Sequence, residues 1–437
     1  MIITPVTTQS TEGRRALARL TYRFQLADDI CRQAVSAILQ AVRERGDEAL
    51  LEYTRRFDAP NMTLDQLRVS ESELGEAYAQ VDDNLMQSLR LAKERIQTFH
   101  EREMEQSWIL TREDGSITGR LVRPVAYAGL YVPGGQGGKT PLVSSVLMNG
   151  IPAGIAGVKH RIMVTPPNEQ GMVHPALLVA AQEIGITQIY KAGSAWAIAA
   201  LAYGTAIIPA VDVIVGPGNQ YVTEAKRQVS GRVGIDMIAG PSEVLIVADQ
   251  TAKPAFIAAD MLAQAEHDPQ ALAMLVTTSR DVADRTVMEL EKQLQLLSRE
   301  GIARKSLTDR GAILVCGSLE EAMEIANDIA IEHLELMVTD PFSCLPAIRH
   351  AGAIFLGDYS PEAYGDYVAG PNHVLPTMGT ARISSSLGVE TFLKKSSLIS
   401  CSRRAFLADA EHIVNLANLE GLTAHARSVV IRLDDQS

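Results

Sequence analysis

Cysteine is scarce in this sequence, and its spacing excludes the usual cysteine frameworks. The 437 residues include four cysteines that lie far apart and form no CxxC pair: Cys31, Cys316, Cys344 and Cys401. Such sparse cysteines are typical of reduced thiols in a cytoplasmic protein, whereas a disulfide framework needs a dense, paired set. We therefore expect a cytoplasmic location.

We also expect no targeting segment and no membrane span. Its N-terminus, MIITPVTTQSTEGRR, has no apolar region and no small-residue cleavage site. The longest uncharged stretch, residues 195–211, is interrupted by Gly204 and Pro209, and a membrane span needs about 20 apolar residues. This stretch is typical of a buried helix, a turn and a buried strand, so we expect no membrane association.

Positive charge is in deficit, because 40 Lys and Arg residues stand against 52 Asp and Glu, a formal net charge of −12. A surface with this balance repels a phosphate backbone, which argues against nucleic-acid binding as the main function. The remaining composition, 46% hydrophobic and 21% charged, is that of an ordinary globular protein. The length allows about two to four domains.

Short apolar runs alternate with helical patterns from residue 125 onward. Such alternation indicates buried parallel strands joined by helices. The predicted strands are AYAGLYVP, RIMVTPP, TQIYKAG, VDVIVGPG, SEVLIVAD, ALAMLVTT, GAILVCGS, HLELMVTD and GAIFLGD. One small sheet would not hold them all, so we predict two α/β units. Residues 29–110, and those beyond 385 from KKSSLIS onward, show helical patterns that predict a helical N-terminal region and a helical C-terminal arm.

Two glycine-rich loops follow predicted strands. The first, GGQGGKT at Gly134–Thr140, is one residue too short for a phosphate-binding Walker loop, and Pro133 stands where that loop needs its first glycine. The second, GPGNQ at Gly216–Gln220, is not a GxGxxG motif because Tyr221 occupies the final position. Strand-to-helix turns in α/β folds nonetheless line ligand crevices. A tight turn without a ligand explains the second loop equally well.

Two segments in the second half of the chain offer candidate metal ligands or acid–base groups. QAEH places Gln264 and His267 at i and i+3 of a predicted helix that Thr251 can cap and Pro254 can open. An amide oxygen and a neutral imidazole can both bind a divalent ion, although a surface helix end offers the same residues. The pair Glu332–His333 lies between a predicted helix and a predicted strand, where α/β folds place catalytic loops. A Glu–His pair is also common on protein surfaces.

Two later segments carry further candidates. DYVAGPNH places Asp366 and His373 in a Gly-Pro turn that is too polar for a core. GLTAH ends at His425 and follows Glu420, an arrangement that a solvated helix end would also explain. The other five histidines lie in charged helices or turns, and we expect them at the surface: His100, His160, His174, His350 and His412.

Taken in order, these segments resemble the histidinol dehydrogenase family. The similarity lies in GLYVPGG, SSVLMNGIPA, GPGNQYVTEAKR, IDMIAGPSEVLIVAD, AQAEHDP, IEHLEL, GDYVAGPNHVLPT and EGLTAH, which span residues 129–425. Motifs this long are highly specific, and together they represent nearly the whole chain. The resemblance implies a four-electron oxidation of L-histidinol to L-histidine through L-histidinal, the last step of histidine biosynthesis.

The resemblance also implies one zinc ion per subunit, held by Gln264, His267, Asp366 and His425. Mixed nitrogen and oxygen ligands without a thiolate suit an exchangeable site that keeps positions open for substrate. In the family, the imidazole and amine of histidinol take those positions, so that the carbon bearing the hydroxyl faces the nicotinamide.

By the same resemblance, Glu332 and His333 form the catalytic acid–base pair. His333 is the base that accepts the alcohol proton in the first oxidation, and Glu332 activates water for the second. An imidazole, whose ordinary pKa is about 6.5, suits alcohol-proton transfer near neutral pH. Glu420 suits the ammonium group of the substrate, and His373 supports the developing oxyanion. The implied substrate-binding set is Ser242, Gln264, His267, His333, Asp366, His373, Glu420 and His425.

Two NAD molecules are implied per turnover, as co-substrate, and the family's cofactor-contacting positions match Tyr131, Trp196 and Asn219. Trp196 is a departure, because the family's GAQAIAAL has glutamine where this chain has GSAWAIAAL. An indole cannot make the paired contacts of an amide, but it can stack on a ring.

The family's C-terminal arm is exchanged between two subunits, which implies a homodimer in which Glu420 and His425 serve the partner's active site. We accordingly expect an α/β fold with two Rossmann-like parallel-sheet domains, a helical N-terminal region and a C-terminal helical arm. The expected parts are an N-terminal segment (1–25), a discontinuous α/β domain with the zinc and acid–base residues (26–129 and 243–384), an inserted Rossmann-like domain (130–242) and the arm (385–437).

Two other functions fit parts of the sequence. A related dehydrogenase on the same scaffold could oxidise another polar alcohol, such as a sulfonated diol. Glu420 argues against it, since an anionic substrate would call for Arg or Lys nearby. A non-catalytic zinc-binding assembly protein would be expected to lose the acid–base pair or a ligand, and the sequence retains them all.

Overall fold

The computed structural model describes residues 2–23, 29–134 and 140–433. The chain divides into two compact units, Met1–Glu103 with Val125–Phe392, and Met104–Pro124 with Leu393–Ser437. Most of the GGQGGKT loop, and the expected boundary between residues 25 and 26, lie outside the described residues. Among the described helices, none combines the length and the apolar character that a membrane crossing requires.

The strands are described first, in chain order. They are β1 (Val6–Thr7), β2 (Trp108–Thr111), β3 (Ile117–Pro124), β4 (Tyr127–Tyr131), β5 (His160–Thr165), β6 (Gln188–Lys191), β7 (Val213–Val215), β8 (Gly234–Ile235), β9 (Glu243–Ala248), β10 (Leu272–Thr277), β11 (Ala312–Val315), β12 (Ile331–Met337), β13 (Ala351–Leu356) and β14 (Leu393–Ser400). The nine predicted strands are confirmed as β4 to β7 and β9 to β13.

The α-helices follow the predicted pattern between the strands. They are α1 (Thr11–Thr21), α2 (Asp29–Arg45), α3 (Asp47–Phe57), α4 (Glu71–Ala77), α5 (Asp83–His100), α6 (Val143–Ile155), α7 (Pro175–Glu183), α8 (Ser194–Tyr203), α9 (Gln220–Val229), α10 (Pro254–Ala265), α11 (Arg280–Leu294), α12 (Glu300–Asp309), α13 (Leu319–Ile329), α14 (Pro341–Cys344), α15 (Glu362–Tyr367), α16 (Arg403–Leu419) and α17 (Thr423–Leu433).

A six-stranded parallel sheet in the first unit has the order β1-β11-β10-β9-β12-β13. Its central strands are apolar along most of their length because helices cover both faces. In β9, Val244 and Ile246 pack on one face with α10, α11 and α12, whereas Leu245 and Val247 pack on the other face with α1 and α13. The alternation of side chains along one strand therefore supplies two separate cores.

A five-stranded parallel sheet in the same unit has the order β6-β5-β4-β7-β8. Helix α8 covers one face and is buried on all sides, which explains its lack of polar residues. Helix α8 accounts for the first part of the uncharged stretch, residues 195–211. The strand that we expected at the end of this stretch begins after it, as β7 at Val213. Both parallel sheets reverse their strand order at one point, between β4 and β7 in this sheet and between β9 and β12 in the other.

The second unit contains a three-stranded antiparallel sheet, β14-β3-β2, and the helices α16 and α17. The prediction that the arm is helical from KKSSLIS onward was wrong, because this segment forms most of β14. All eight residues of β14 pair with β3, from Leu393 opposite Pro124 to Ser400 opposite Ile117. This pairing joins residues far apart in sequence, so a local helical pattern could not reveal it.

Candidate active site

The acid–base pair lies inside a strand rather than in the loop that we expected. Helix α13 ends at Ile329, and Ala330 takes a left-handed conformation with φ 50° and ψ 64°. This single residue turns the chain, so that β12 begins at once and holds Glu332 and His333 near its amino end. Both side chains are buried.

The main chain of Glu243, the first residue of β9, contacts both members of the pair. Its N–H donates to Oε2 of Glu332 at 2.7 Å, and its carbonyl oxygen lies 3.0 Å from Nδ1 of His333. A carbonyl only accepts, so the proton of the neutral imidazole is on Nδ1 and Nε2 keeps its lone pair. Nε2 is buried and has no hydrogen-bond partner among the described residues.

Burial sets the charge states of the pair. It lowers the pKa of His333 to about 4, so that the imidazole is neutral at pH 7 and can accept a proton. Burial also raises the pKa of Glu332 well above its usual range, and the N–H of Glu243 opposes this by stabilising the carboxylate. The pair therefore has the chemistry of a general base and a strengthened carboxylate base.

Three of the four expected zinc ligands belong to the same unit as this pair. Gln264 lies in the last turn of α10, His267 follows that helix, and Asp366 lies on α15. Burial is the main cause that lowers the pKa of His333, while the charge of Asp366 raises this pKa and that of His267 lowers it. A ring nitrogen of His333 and one carboxylate oxygen each of Glu362 and Asp366, all of which could bind a metal, lie within 4.8 Å of one another.

Glu362 is the site residue that the sequence analysis missed. It lies four residues before Asp366 on α15, and this i, i+4 spacing was the signal that could have revealed it. With its amide nitrogen facing this carboxylate, Gln264 donates to Oε1 at 2.7 Å and to Oε2 at 2.5 Å. In this orientation the amide nitrogen of Gln264, and not its amide oxygen, contacts Glu362.

This region contains several buried acids, among them Glu332, Glu335 and Glu362. Burial is the main cause that raises the pKa of Glu362 well above its usual range, and Asp366, Glu332 and Glu335 add to the effect. Burial likewise raises the pKa of Asp260 to about 6. A nearby cation would offset the repulsion among these carboxylates.

Helix α10 begins differently from our prediction. Thr251 does not cap it, because the hydroxyl of Thr251 bonds to Asp249 at 2.6 Å. Lys253 occupies the N-cap position but makes no side-chain capping hydrogen bond, and Pro254 is the first helical residue as expected. Proline tolerates that position because it has no N–H to satisfy there.

The remaining substrate candidates fall in both units. Ser242 directly precedes Glu243, and His373 is half-buried, with its pKa lowered chiefly by burial. Glu420 is the C-cap of α16 and His425 lies in the first turn of α17. Both of these belong to the second unit, and both are exposed.

The cofactor candidates lie in the unit that holds the five-stranded sheet. Tyr131 ends β4, and its hydroxyl accepts a hydrogen bond from the N–H of Ser194 at 3.1 Å. Asn219 caps α9 by accepting hydrogen bonds from two N–H groups, and it is exposed. Trp196 is buried, and its indole stacks on Tyr53 and Phe57 at ring-centroid distances of 5.9 and 5.4 Å. The indole therefore packs against protein rings, and the role of Trp196 in cofactor binding stays a prediction.

One histidine expected at the surface is buried. His100 ends α5, is 1% exposed, and contacts Oε2 of Glu103 through Nδ1 at 2.7 Å. The charged neighbours in sequence point outward, while His100 faces inward and has a carboxylate partner. The surface prediction was therefore wrong for this residue.

Comparisons with known proteins agree on one family. A family model described as histidinol dehydrogenase matches residues 21–433. A histidinol dehydrogenase from Desulfotalea psychrophila is 67% identical over 99% of this chain and 100% of its own length. Another, from Nitratidesulfovibrio vulgaris, is 54% identical over 94% of each chain. The chain belongs to the histidinol dehydrogenase family.

The fold agrees with this membership. The crystal structure of histidinol dehydrogenase from Elizabethkingia anophelis is similar with a TM-score of 0.91 and 38% sequence identity, covering 99% of this chain and 98% of that one. The resemblance drawn from the motifs and the α/β fold class are both confirmed. The chain is an oxidoreductase of the histidinol dehydrogenase kind, and the comparisons favour neither alternative function.

Proposed function

We propose that this chain oxidises L-histidinol to L-histidine in two NAD-dependent steps at an active site organised by zinc. The geometry of the acid–base pair carries the proposal. A neutral imidazole, whose Nε2 has no partner in the described part of the chain, stands beside a buried glutamate, and the peptide groups of Glu243 contact both. Base and carboxylate thus lie side by side, as two successive oxidations with a water addition between them require.

The residues present fit a zinc ion. Gln264, His267 and Asp366 offer an amide oxygen, an imidazole and a carboxylate, a donor set that zinc accepts. The buried acids nearby, Glu332 and Glu362, would supply balancing negative charge once ionised beside a divalent cation. His425 is the fourth ligand that the family resemblance implies. When bound, zinc orients the imidazole and amine of histidinol and favours the ionised form of the neighbouring acids.

In the first oxidation, Nε2 of His333 removes the hydroxyl proton of histidinol while the hydride leaves the same carbon for NAD. This converts the alcohol to the aldehyde L-histidinal. In the second oxidation, the carboxylate of Glu332 removes a proton from the water that attacks the aldehyde carbon. The hydrated aldehyde then loses its hydride to a second NAD and becomes the carboxylic acid. The raised pKa of Glu332 makes its ionised form a stronger base.

Substrate recognition rests on polar side chains. We assign Ser242 and His373, together with the pair and the zinc ligands, to the polar groups of histidinol. The carboxylate of Glu420 suits the substrate ammonium group, which is the feature that separates histidinol from an anionic alcohol.

The turns that follow β4 and β7 suit NAD, the hydride acceptor of both steps. In open parallel sheets, ligands bind at the carboxyl ends of the strands where the strand order reverses. Tyr131 and the turn before Asn219 flank that point, and the exposed amide of Asn219 can still donate. A Cβ atom at Gly216 would lie 2.1 Å from the carbonyl oxygen of Tyr131, so the close approach of these turns needs glycine. Trp196, which packs against Tyr53 and Phe57, is the third candidate for a cofactor contact.

A homodimer with exchanged arms is supported by apolar residues that the second unit leaves exposed. Trp108 and Ile109 of β2 are 52% and 63% exposed, and Leu416 and Leu419 of α16 are 63% and 84% exposed. Large exposed apolar residues grouped on one unit are typical of an interaction surface. The four-part division of the chain and the cytoplasmic location stay predictions.

The stoichiometry of NADH tests the proposed function. Purified protein loaded with zinc should form two NADH for each L-histidinol consumed, with little free aldehyde, because both bases serve one site. The consumed histidinol and the formed histidine are measured by chromatography and NADH by absorbance. A ratio of one NADH, with histidinal released, would contradict the four-electron proposal.

A further inference from the structure

A buried ion pair lies directly behind the acid–base residues. Nε of Arg23 donates to Oε1 of Glu243 at 2.5 Å, and Nη2 donates to Oε2 at 2.6 Å. Both side chains are nearly inaccessible to solvent. The N–H of Met378 donates to Oε2 of Glu243 at 3.1 Å. The carboxylate of Glu243 therefore has three donors and a fixed orientation.

The main chain of Glu243 is the part that contacts the acid–base pair. The pairing of β9 with β12 begins with Val244 opposite His333, so Glu243 lies just before the paired region. Its N–H and carbonyl are therefore available to the side chains of Glu332 and His333. Whatever holds the side chain of Glu243 also holds these two peptide groups.

Arg23 also holds the main chain just before β12, the strand that carries the pair. Its Nη1 donates to the carbonyl oxygens of Leu20, at 2.8 Å, and of Ile329, at 2.7 Å. Ile329 ends α13, and only Ala330 separates it from β12. The guanidinium of Arg23 thus connects Glu243, at the start of β9, with Ile329, two residues before β12. The planar fork of arginine makes such a paired contact, which lysine cannot reproduce.

We propose that Arg23 and Glu243 are positioning residues that hold Nδ1 of His333 and the carboxylate of Glu332 in their catalytic orientations. This inference rests on the proposed function. The pair touches no reacting atom and acts through the peptide groups of Glu243. Its role is to keep the proton on Nδ1, so that Nε2 stays directed as the base.

Kinetics of Glu243→Gln and Arg23→Lys test the proposal. Glu243→Gln keeps the peptide groups and nearly the volume, while Arg23→Lys keeps the charge and is the milder variant should the first fold poorly. We expect kcat per zinc-loaded site to fall about 10- to 100-fold, the loss that is typical when a residue that orients a metal ligand through a hydrogen bond is replaced. The KM for histidinol and the affinity for zinc should stay within about twofold, because the ligands are untouched.

Glu103→Gln is the matched control. Like Glu243, Glu103 is a glutamate that contacts both a basic side chain and a main-chain N–H: it contacts Nδ1 of His100 and accepts from the N–H of Val389 at 2.9 Å. It lies outside the site. This variant should keep the wild-type kcat. If Glu243→Gln and Arg23→Lys lose only thermal stability and keep kcat per loaded site, the pair is merely structural. If KM and zinc affinity worsen together with kcat, the whole site has loosened. Either result overturns the proposal.

A second measurement is independent of turnover. Nitrogen-15 NMR of histidine-labelled, zinc-free protein reports which ring nitrogen carries the proton, and His333→Asn identifies the signal. Wild-type protein should show the Nδ1–H form, and Glu243→Gln should show a mixture. An unchanged Nδ1–H signal in Glu243→Gln would overturn the proposal even if the protein oxidised histidinol. A wild-type protein without histidinol oxidation would contradict the proposed function and leave this NMR test intact.

Discussion

Asp58→Asn should stabilise the protein above neutral pH and have little effect in acid. Asp58 follows α3, and its Oδ2 is buried without a hydrogen-bond partner among the described residues. Burial raises the pKa of this carboxyl from 3.8 to about 7, because the charged form loses its hydration. The folded state therefore holds a proton that the unfolded state has already released.

The sign and size of the effect follow from the two pKa values. As pH rises through 3.8, the unfolded chain loses the proton and the folded chain does not, so stability falls. The loss is complete once pH exceeds the folded value of about 7. Each pKa unit corresponds to about 1.4 kcal/mol, so the difference sums to on the order of 4 kcal/mol. Asparagine has nearly the same shape and does not titrate, so it removes this loss.

Urea titrations of wild type and Asp58→Asn, followed by circular dichroism without cofactor, measure the difference at pH 5 and pH 8. The advantage of the variant should grow by several kcal/mol between these two values, as the linkage relation requires. Asp65→Asn is the control, because Asp65 is an exposed aspartate nearby and its replacement should change little. An advantage of the same size at both pH values would refute the assignment of a buried, protonated Asp58.

Three further predictions concern the proposed chemistry. Glu332→Gln should impair histidinal oxidation far more than histidinol oxidation, and His333→Asn should do the reverse, each by about 10²–10⁴-fold; equal losses in both half-reactions would refute this division. Prolonged chelation should abolish histidinol oxidation and added zinc should restore it, whereas full activity in metal-free protein, verified by elemental analysis, would exclude the zinc site. His267→Asn and His425→Asn should each be nearly inactive, but reassembly of a mixture should recover about one quarter of wild-type activity, since half the dimers would carry one intact site. No recovery despite proven subunit exchange would mean that the arm serves its own subunit.

The parallel sheets were predictable because their signal is local. A strand such as β9 is covered on both faces, so its residues form one apolar run, and helices such as α10 separate it from the next run. The antiparallel sheet had no such signal. β14 is largely exposed and polar, and it forms through pairing with β3, more than two hundred residues earlier. Pairing over such a separation is not encoded in any single segment.

In the site, too, the sequence indicated which residues take part but not where the fold places them. The motifs pointed to Glu332 and His333, yet we expected them in a loop between a helix and a strand. They lie instead at the amino end of β12, where the peptide groups of Glu243 are available. A loop would leave these side chains to water, whereas the sheet supplies a fixed donor and a fixed acceptor.

Placement in a strand keeps both side chains beside the peptide groups of Glu243. Burial alone would favour a neutral Glu332 and leave the imidazole of His333 free to adopt either tautomer. The N–H of Glu243 stabilises the carboxylate, and its carbonyl selects the Nδ1–H tautomer, so one residue sets the chemistry of both bases. The ion pair with Arg23 then determines where that residue lies. The acid–base function therefore depends on a contact 220 residues apart in sequence, which the motif around Glu332 and His333 does not contain.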